Sequence, residues 1–118
     1  MRDLPPCPAT PNCVSTQAVR SRQRMDPIPY AGPLRAARAR MLAVLQALPR
    51  TRIVEEGADV LRAECHSLVF RFVDDVEIRF DDTAKLIHFR SASRLGRSDF
   101  GVNRERMDHL RKAFLGGS

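Results

Sequence analysis

Apolar and polar positions change their period twice along this chain, dividing it into a helix, a run of strands and a second helix. Leu34, Ala37, Met41, Val44, Leu45 and Leu48 recur at spacings of three and four, which is the stripe of an amphipathic helix. Pro33 suits its first turn, where a missing amide leaves no bond unmade, and Pro49 ends it. From Thr51 the period is two. Ile53 and Val54 open a strand, and residues 55–59 read as a turn. Leu61, Ala63 and Cys65 then alternate with Arg62, Glu64 and His66; Phe70 and Phe72 with Arg71; Val76, Ile78 and Phe80 with Glu77, Arg79 and Asp81; Ile87 and Phe89 with His88 and Arg90. Such alternation predicts antiparallel strands with one buried and one wet face, and their close spacing favours hairpins. Met107, Leu110 and Phe114 mark the inward side of a closing helix that Gly116 and Gly117 would stop.

Seven of the eight prolines lie in the first 33 residues, so residues 1–32 are predicted to form an irregular arm packed on or near the sheet. The expected fold is α+β: an antiparallel four- to five-stranded meander flanked by two helices and preceded by that proline-rich arm. The whole of residues 1–118 is expected to make one domain, and 118 residues suffice to bury roughly two-thirds of the unfolded chain's surface. With no Trp and one Tyr, its core must rest on aliphatic residues, Met and Phe.

Charge changes the picture less than its total suggests. The net charge of +6 divides into nine Arg against Asp3 and Asp26 in residues 1–54, and eleven basic against twelve acidic residues thereafter. The excess sits in one half and is almost wholly arginine. Without a zinc-finger spacing or an aromatic RNA-binding motif, it points away from nucleic acid. No apolar run reaches the ~20 residues of a membrane span, and the N-terminus lacks an apolar signal core. A cytoplasmic location is therefore expected. Three cysteines, Cys7, Cys13 and Cys65, do not suggest a disulfide scaffold. Cys7 and Cys13 are near enough in sequence to bridge in an oxidising compartment and are expected as thiols in the cytosol.

Common catalytic signatures are missing: no Walker loop, GxGxxG, GxSxG or HExxH. No cofactor and no metal are expected. Cys7, Cys13, Cys65 and His66 lack zinc spacing, and Asp74, Asp75 and Glu77 read better as a turn before a strand than as a cation site. The most informative stretch joins the last strand to the last helix. Residues 91–104 hold three serines and three arginines, and helix N-terminal amides with arginine forks favour anions. The candidate ligand-binding residues are Arg90, Ser91, Ser93, Arg94, Arg97, Ser98, Asp99 and Asn103. The same residues have a structural use: Ser98, Asp99 or Asn103 as a helix cap, and Arg94 and Arg97 as partners of the acidic sheet face. That wet face carries Arg62, Glu64, His66, Arg71, Glu77, Arg79, His88 and Arg90.

Two groups of residues carry a family resemblance. Cys7-Pro8-Ala9-Thr10-Pro11-Asn12-Cys13-Val14-Ser15 is the first. The second begins at Phe70-Arg71-Phe72-Val73-Asp74-Asp75-Val76-Glu77 and continues through Arg90-Ser91-Ala92-Ser93-Arg94, Gly96-Arg97-Ser98-Asp99 and Gly101-Val102-Asn103-Arg104. In this order they resemble the family called domain of unknown function 1499, found mainly in bacteria and photosynthetic eukaryotes, many of whose members carry a leader or membrane segment. The resemblance implies that the arm, which holds the first motif, is an ordered part of the fold. It implies no catalyst.

The expected function is that of a non-catalytic binding module for a small anionic ligand or a protein partner, centred on Arg94, Arg97 and the serines. The alternative is an acid–base hydrolytic enzyme drawing on Glu64, His66, Asp75, Glu77 and His88.

Overall fold

The elements run in the order β1 (Cys13–Ser15), β2 (Ile28–Pro29), α1 (Leu34–Ala47), β3 (Thr51–Glu56), β4 (Val60–His66), β5 (Val73–Asp81), β6 (Leu86–Ser93) and α2 (Val102–Gly116). They are taken from a computed structural model that describes residues 1–68, 72–95 and 101–116. The fold is α+β. Its six strands form one sheet in the order β1-β6-β5-β4-β3, with β2 also pairing β6, and every strand pair is antiparallel.

α1 follows the predicted stripe closely. Ala37, Met41 and Leu45 are buried, and Leu34, Leu42, Val44 and Leu48 pack against the core. Pro33 is the N-cap rather than the first helical residue; its extended backbone (φ −73°, ψ 148°) leaves its carbonyl to accept from Ala36 and Ala37 at 3.1 and 3.3 Å. α2 buries Asn103, Met107, Leu110 and Phe114, adding one polar residue to the predicted apolar set. Gly101, with φ of 81°, turns the chain into it.

The strand boundaries differ from expectation in three places. Glu55 and Glu56 belong to β3 rather than to a turn, because a register shift between Ile53 and Glu55 lets the strand continue past Val54 as a bulge. The turn is confined to Gly57–Asp59, closed by Gly57 N–H to Val60 O at 2.8 Å. Asp74 and Asp75 lie inside β5, where cross-strand pairing on both sides overrides the turn preference of adjacent aspartates. Phe72 precedes β5, outside any strand, and is exposed. Phe70 and Arg71 lie outside the described residues.

The arm takes an irregular path yet closes the β6 edge. β1 pairs Cys13, Val14 and Ser15 with Ala92, Ser91 and Arg90, and β2 pairs Ile28 and Pro29 with Ile87 and Leu86. Between them Thr16 continues the ladder: its N–H donates to Phe89 O at 3.0 Å and its Oγ1 accepts from Phe89 N–H at 3.1 Å. Residues 17–27 loop outward around Gln23, which is buried and donates to Pro8 O and Thr10 O at 2.7 and 2.8 Å. The Gln23 amide thus satisfies two arm carbonyls, while Ser15, Thr16, Gln23, Arg24 and Met25 N–H groups find backbone acceptors.

Both helices lie on one face of the sheet. Val14, Met25, Ile28 and Tyr30 of the arm join Met41, Leu45, Leu61, Ile78, Phe80, Ile87, Phe89, Met107, Leu110 and Phe114 in one cluster. Each such side chain, fully buried, contributes roughly 1.5–3 kcal/mol. The arm therefore supplies core as well as edge. Among the described residues no helix is long and apolar enough to cross a membrane.

Candidate functional site

Two polar sites flank β6, one on each face of the sheet. Strand alternation decides which residue goes to which. Ser91 and Ser93 point to the helices; Arg90, Glu77, Asp75 and Glu64 point the other way.

On the helix side, Asn103 of α2 is wholly buried. Its Oδ1 accepts from Ser91 Oγ at 2.6 Å and Arg106 Nη1 at 2.9 Å, and its Nδ2 donates to Asn12 O at 3.2 Å and Ser93 Oγ at 3.0 Å. Arg106 also pairs with Asp74 at 2.8 Å. Asn12 accepts from Thr10 Oγ1 at 2.5 Å and donates to Leu95 O. This knot ties the arm, two strands and α2 together. It uses all four hydrogen-bonding positions of Asn103, so Ser91, Ser93 and Asn103 are committed to protein partners.

The outer face is an ion-pair lattice. Arg94 grips Asp75 in a fork, Nε to Oδ2 and Nη2 to Oδ1 both at 2.9 Å, and reaches Glu64 at 2.8 Å. Arg52 meets the same Glu64 at 2.9 Å. Hydrogen bonds from Arg52 and Arg94 hold the Glu64 carboxyl below its usual range, and its carboxylate partners push Arg94 upward. Arg79 binds Glu77 at 2.6 Å, while Arg62 binds Glu55 at 3.3 Å and stands 4.0 Å from Glu77. His88 Nδ1 shares a 2.9 Å hydrogen bond with Thr16.

Part of this lattice is roofed. The Cys7–Cys13 disulfide brings the first residues of the chain back over the sheet, where Leu4 is buried and its N–H donates to Gln17 Oε1 at 2.8 Å. Beneath Pro5 lies a cleft of about 260 Å³ whose charged walls are Arg62, Glu64, Asp75, Glu77, Arg90 and Arg94, with Val54 at its side. Arg90 is the anomaly there. One Nη donates to Pro6 O at 3.3 Å, but its buried Nε has no partner among the described residues. Burial pulls its pKa down, and the nearby Glu77 and Asp75 only partly oppose this.

Of the candidate residues, Arg90 and Arg94 thus share the outer cleft, whereas Ser91, Ser93 and Asn103 share the knot behind the sheet. Arg97, Ser98 and Asp99 lie outside the described residues. Asp74 and Asp75 diverge to opposite faces, as do Cys65 and His66. Among the described residues no three His, Cys, Asp or Glu side chains converge as for a metal ion. A larger depression of about 430 Å³ beside Arg50, Arg52 and His66 has its arginines engaged, Arg50 Nε with His66 O at 3.0 Å and Arg52 with Glu64. The contributions of Asn12, Gln23 and Arg106, and the roof of Pro5 and Pro6, were not singled out from sequence. Asn12 alone carried a signal, its place inside the Cys7–Cys13 motif.

The fold and cleft define a class: an α+β protein with an antiparallel meander whose charged outer face is partly roofed by its own disulfide-anchored arm. The chain belongs to the family described as Protein of unknown function (DUF1499), whose model matches residues 3–114. No curated protein matches the chain, and no solved structure does.

Proposed function

We propose that this protein is a non-catalytic binding module for a small anionic ligand, seated in the cleft between the arm and the outer sheet face. The observation that supports this is Arg90. A buried donor left unpaired costs about 1–3 kcal/mol, more when charged; Nε has almost no exposed surface, so a carboxylate or phosphate oxygen would remove that cost once the guanidinium turned towards the cleft. The acid–base hydrolytic reading has less support, because Glu64 is held ionised by two arginines and His88 is engaged by Thr16. The disulfide supports residence in an oxidising compartment over the cytoplasmic location expected from sequence.

The test is titration with inorganic phosphate and with acetate, followed through the Arg90 Nε–H resonance by ¹⁵N NMR. A saturable shift is expected at that resonance and at the backbone amides of β5 and β6 around the cleft, the amide shifts being lost in a folded Arg90→Leu variant. No shift at about 10 mM of either anion, tenfold above a Kd of about 1 mM, would refute the proposal.

A further inference from the structure

We infer that the ligand is a zwitterion, an α-amino acid with an apolar side chain, its carboxylate on Arg90 and its ammonium on Glu77; this rests on the anionic-ligand reading of the same cleft. Glu77 and Arg90 are direct cross-strand partners on β5 and β6. Opposite charges in that position ordinarily pair. Here, among the described residues, they form no ion pair. Glu77 Oε2 accepts from Arg79 at 2.6 Å, and Oε1 has only Arg62 at 4.0 Å. Arg90 turns instead to the Pro6 carbonyl and leaves Nε unpaired. An acceptor and a donor of opposite charge, neither closely partnered among the described residues, thus sit on paired residues of adjacent strands.

Charge balance points the same way. Three arginines and three carboxylates line the cleft, so each end of a zwitterion meets an opposite charge there, whereas a simple anion or cation uses only one sign of the wall. Pro5 on the roof and the half-exposed Val54 at the bulge give an aliphatic side chain an apolar wall. The cleft of about 260 Å³ suits a single amino acid rather than a peptide.

Three probes of matched shape separate the possibilities: L-leucine, 4-methylpentanoate (leucine without its ammonium) and 3-methylbutylamine (leucine without its carboxylate). Calorimetric or NMR titration of the full chain should show leucine binding about tenfold tighter than 4-methylpentanoate, as one charge-assisted hydrogen bond allows. The amine should bind weakest. Glu77→Gln should shrink the leucine-to-4-methylpentanoate ratio towards one. Equal binding of leucine and 4-methylpentanoate to the wild type would overturn the zwitterion inference and leave the anion site standing. An amine as tight as leucine, or no binding by any probe, would overturn both.

Discussion

Replacing Asn103 by alanine tests whether the knot behind the sheet holds the arm in place. Among the described residues the Asn103 side chain makes four hydrogen bonds, to Ser91, Arg106, Asn12 and Ser93, at 2.6–3.2 Å. Not all of these partners would be stranded. Asn12 O also accepts from Ser93 N–H at 3.0 Å, and Arg106 Nη1 reaches Ser91 Oγ at 3.2 Å. The residual loss is then one to two buried groups left unsatisfied, at about 1–3 kcal/mol each, or about 2–4 kcal/mol in all. Against a total stability of about 5–15 kcal/mol for a domain of this kind, that is a large share. The chain has no Trp, so urea unfolding is best followed by far-UV circular dichroism. Asn103→Asp is the companion variant, since it keeps the acceptor for Ser91 and Arg106 and removes the donor to Asn12 and Ser93. A cost below about 0.5 kcal/mol for Asn103→Ala, the range of an ordinary surface substitution, would refute the claim that this network holds the arm.

Three further outcomes are expected. Reduction of Cys7–Cys13, or the paired Cys7→Ser and Cys13→Ser variant, closes no loop in the unfolded chain; a sequence separation of 6 gives about 2 kcal/mol of lost stability, read as a lower urea midpoint under dithiothreitol. Gly57→Ala places a Cβ 2.6 Å from Val60 Cγ1, and Val60 is buried and stiff at χ1, so a loss of about 1–3 kcal/mol is expected, most of which should vanish when Gly57→Ala is made in a Val60→Ala background instead. Glu64, whose carboxyl is depressed from its ordinary 4.5, contributes stability that is present above that value and lost as pH falls through its lower folded value. The acid limb of the urea midpoint should accordingly be shallower in Glu64→Gln, and an unchanged limb would deny Glu64 that role.

Periodicity revealed the helices and most strands because one face of each is buried. Met41 and Leu45, or Ile78 and Phe80, announce themselves by spacing alone. It failed at the bulge, where Val54 adds a residue without changing composition, and at Asp74-Asp75, whose turn-like chemistry is overridden by pairing on both sides of β5. The arm was illegible for another reason. Its strands are two and three residues long, too short for any period, and their partner β6 lies some seventy residues away. The candidate residues were drawn from one contiguous stretch, and a strand sends neighbours to opposite faces. Arg90 and Arg94 were therefore separated from Ser91 and Ser93 by the pleat itself. The cleft depended on Glu77, brought by register, and on Pro5 and Pro6, brought by the disulfide.

The arm also decides which backbone edges of the sheet are left open. With β1, Thr16 and β2 lying along β6, the sheet ends in two short arm strands on one side and in β3 on the other, where the bulge and the exposed Arg52, Glu55 and Glu56 discourage a second strand from adding. Were the first thirty residues lifted away, the eight-residue β6 would become a long unpaired border beside Ile87 and Phe89. The longest strand edge opposite β5 is thus closed by the chain's least regular segment, and trimming the arm would leave that edge open to pairing.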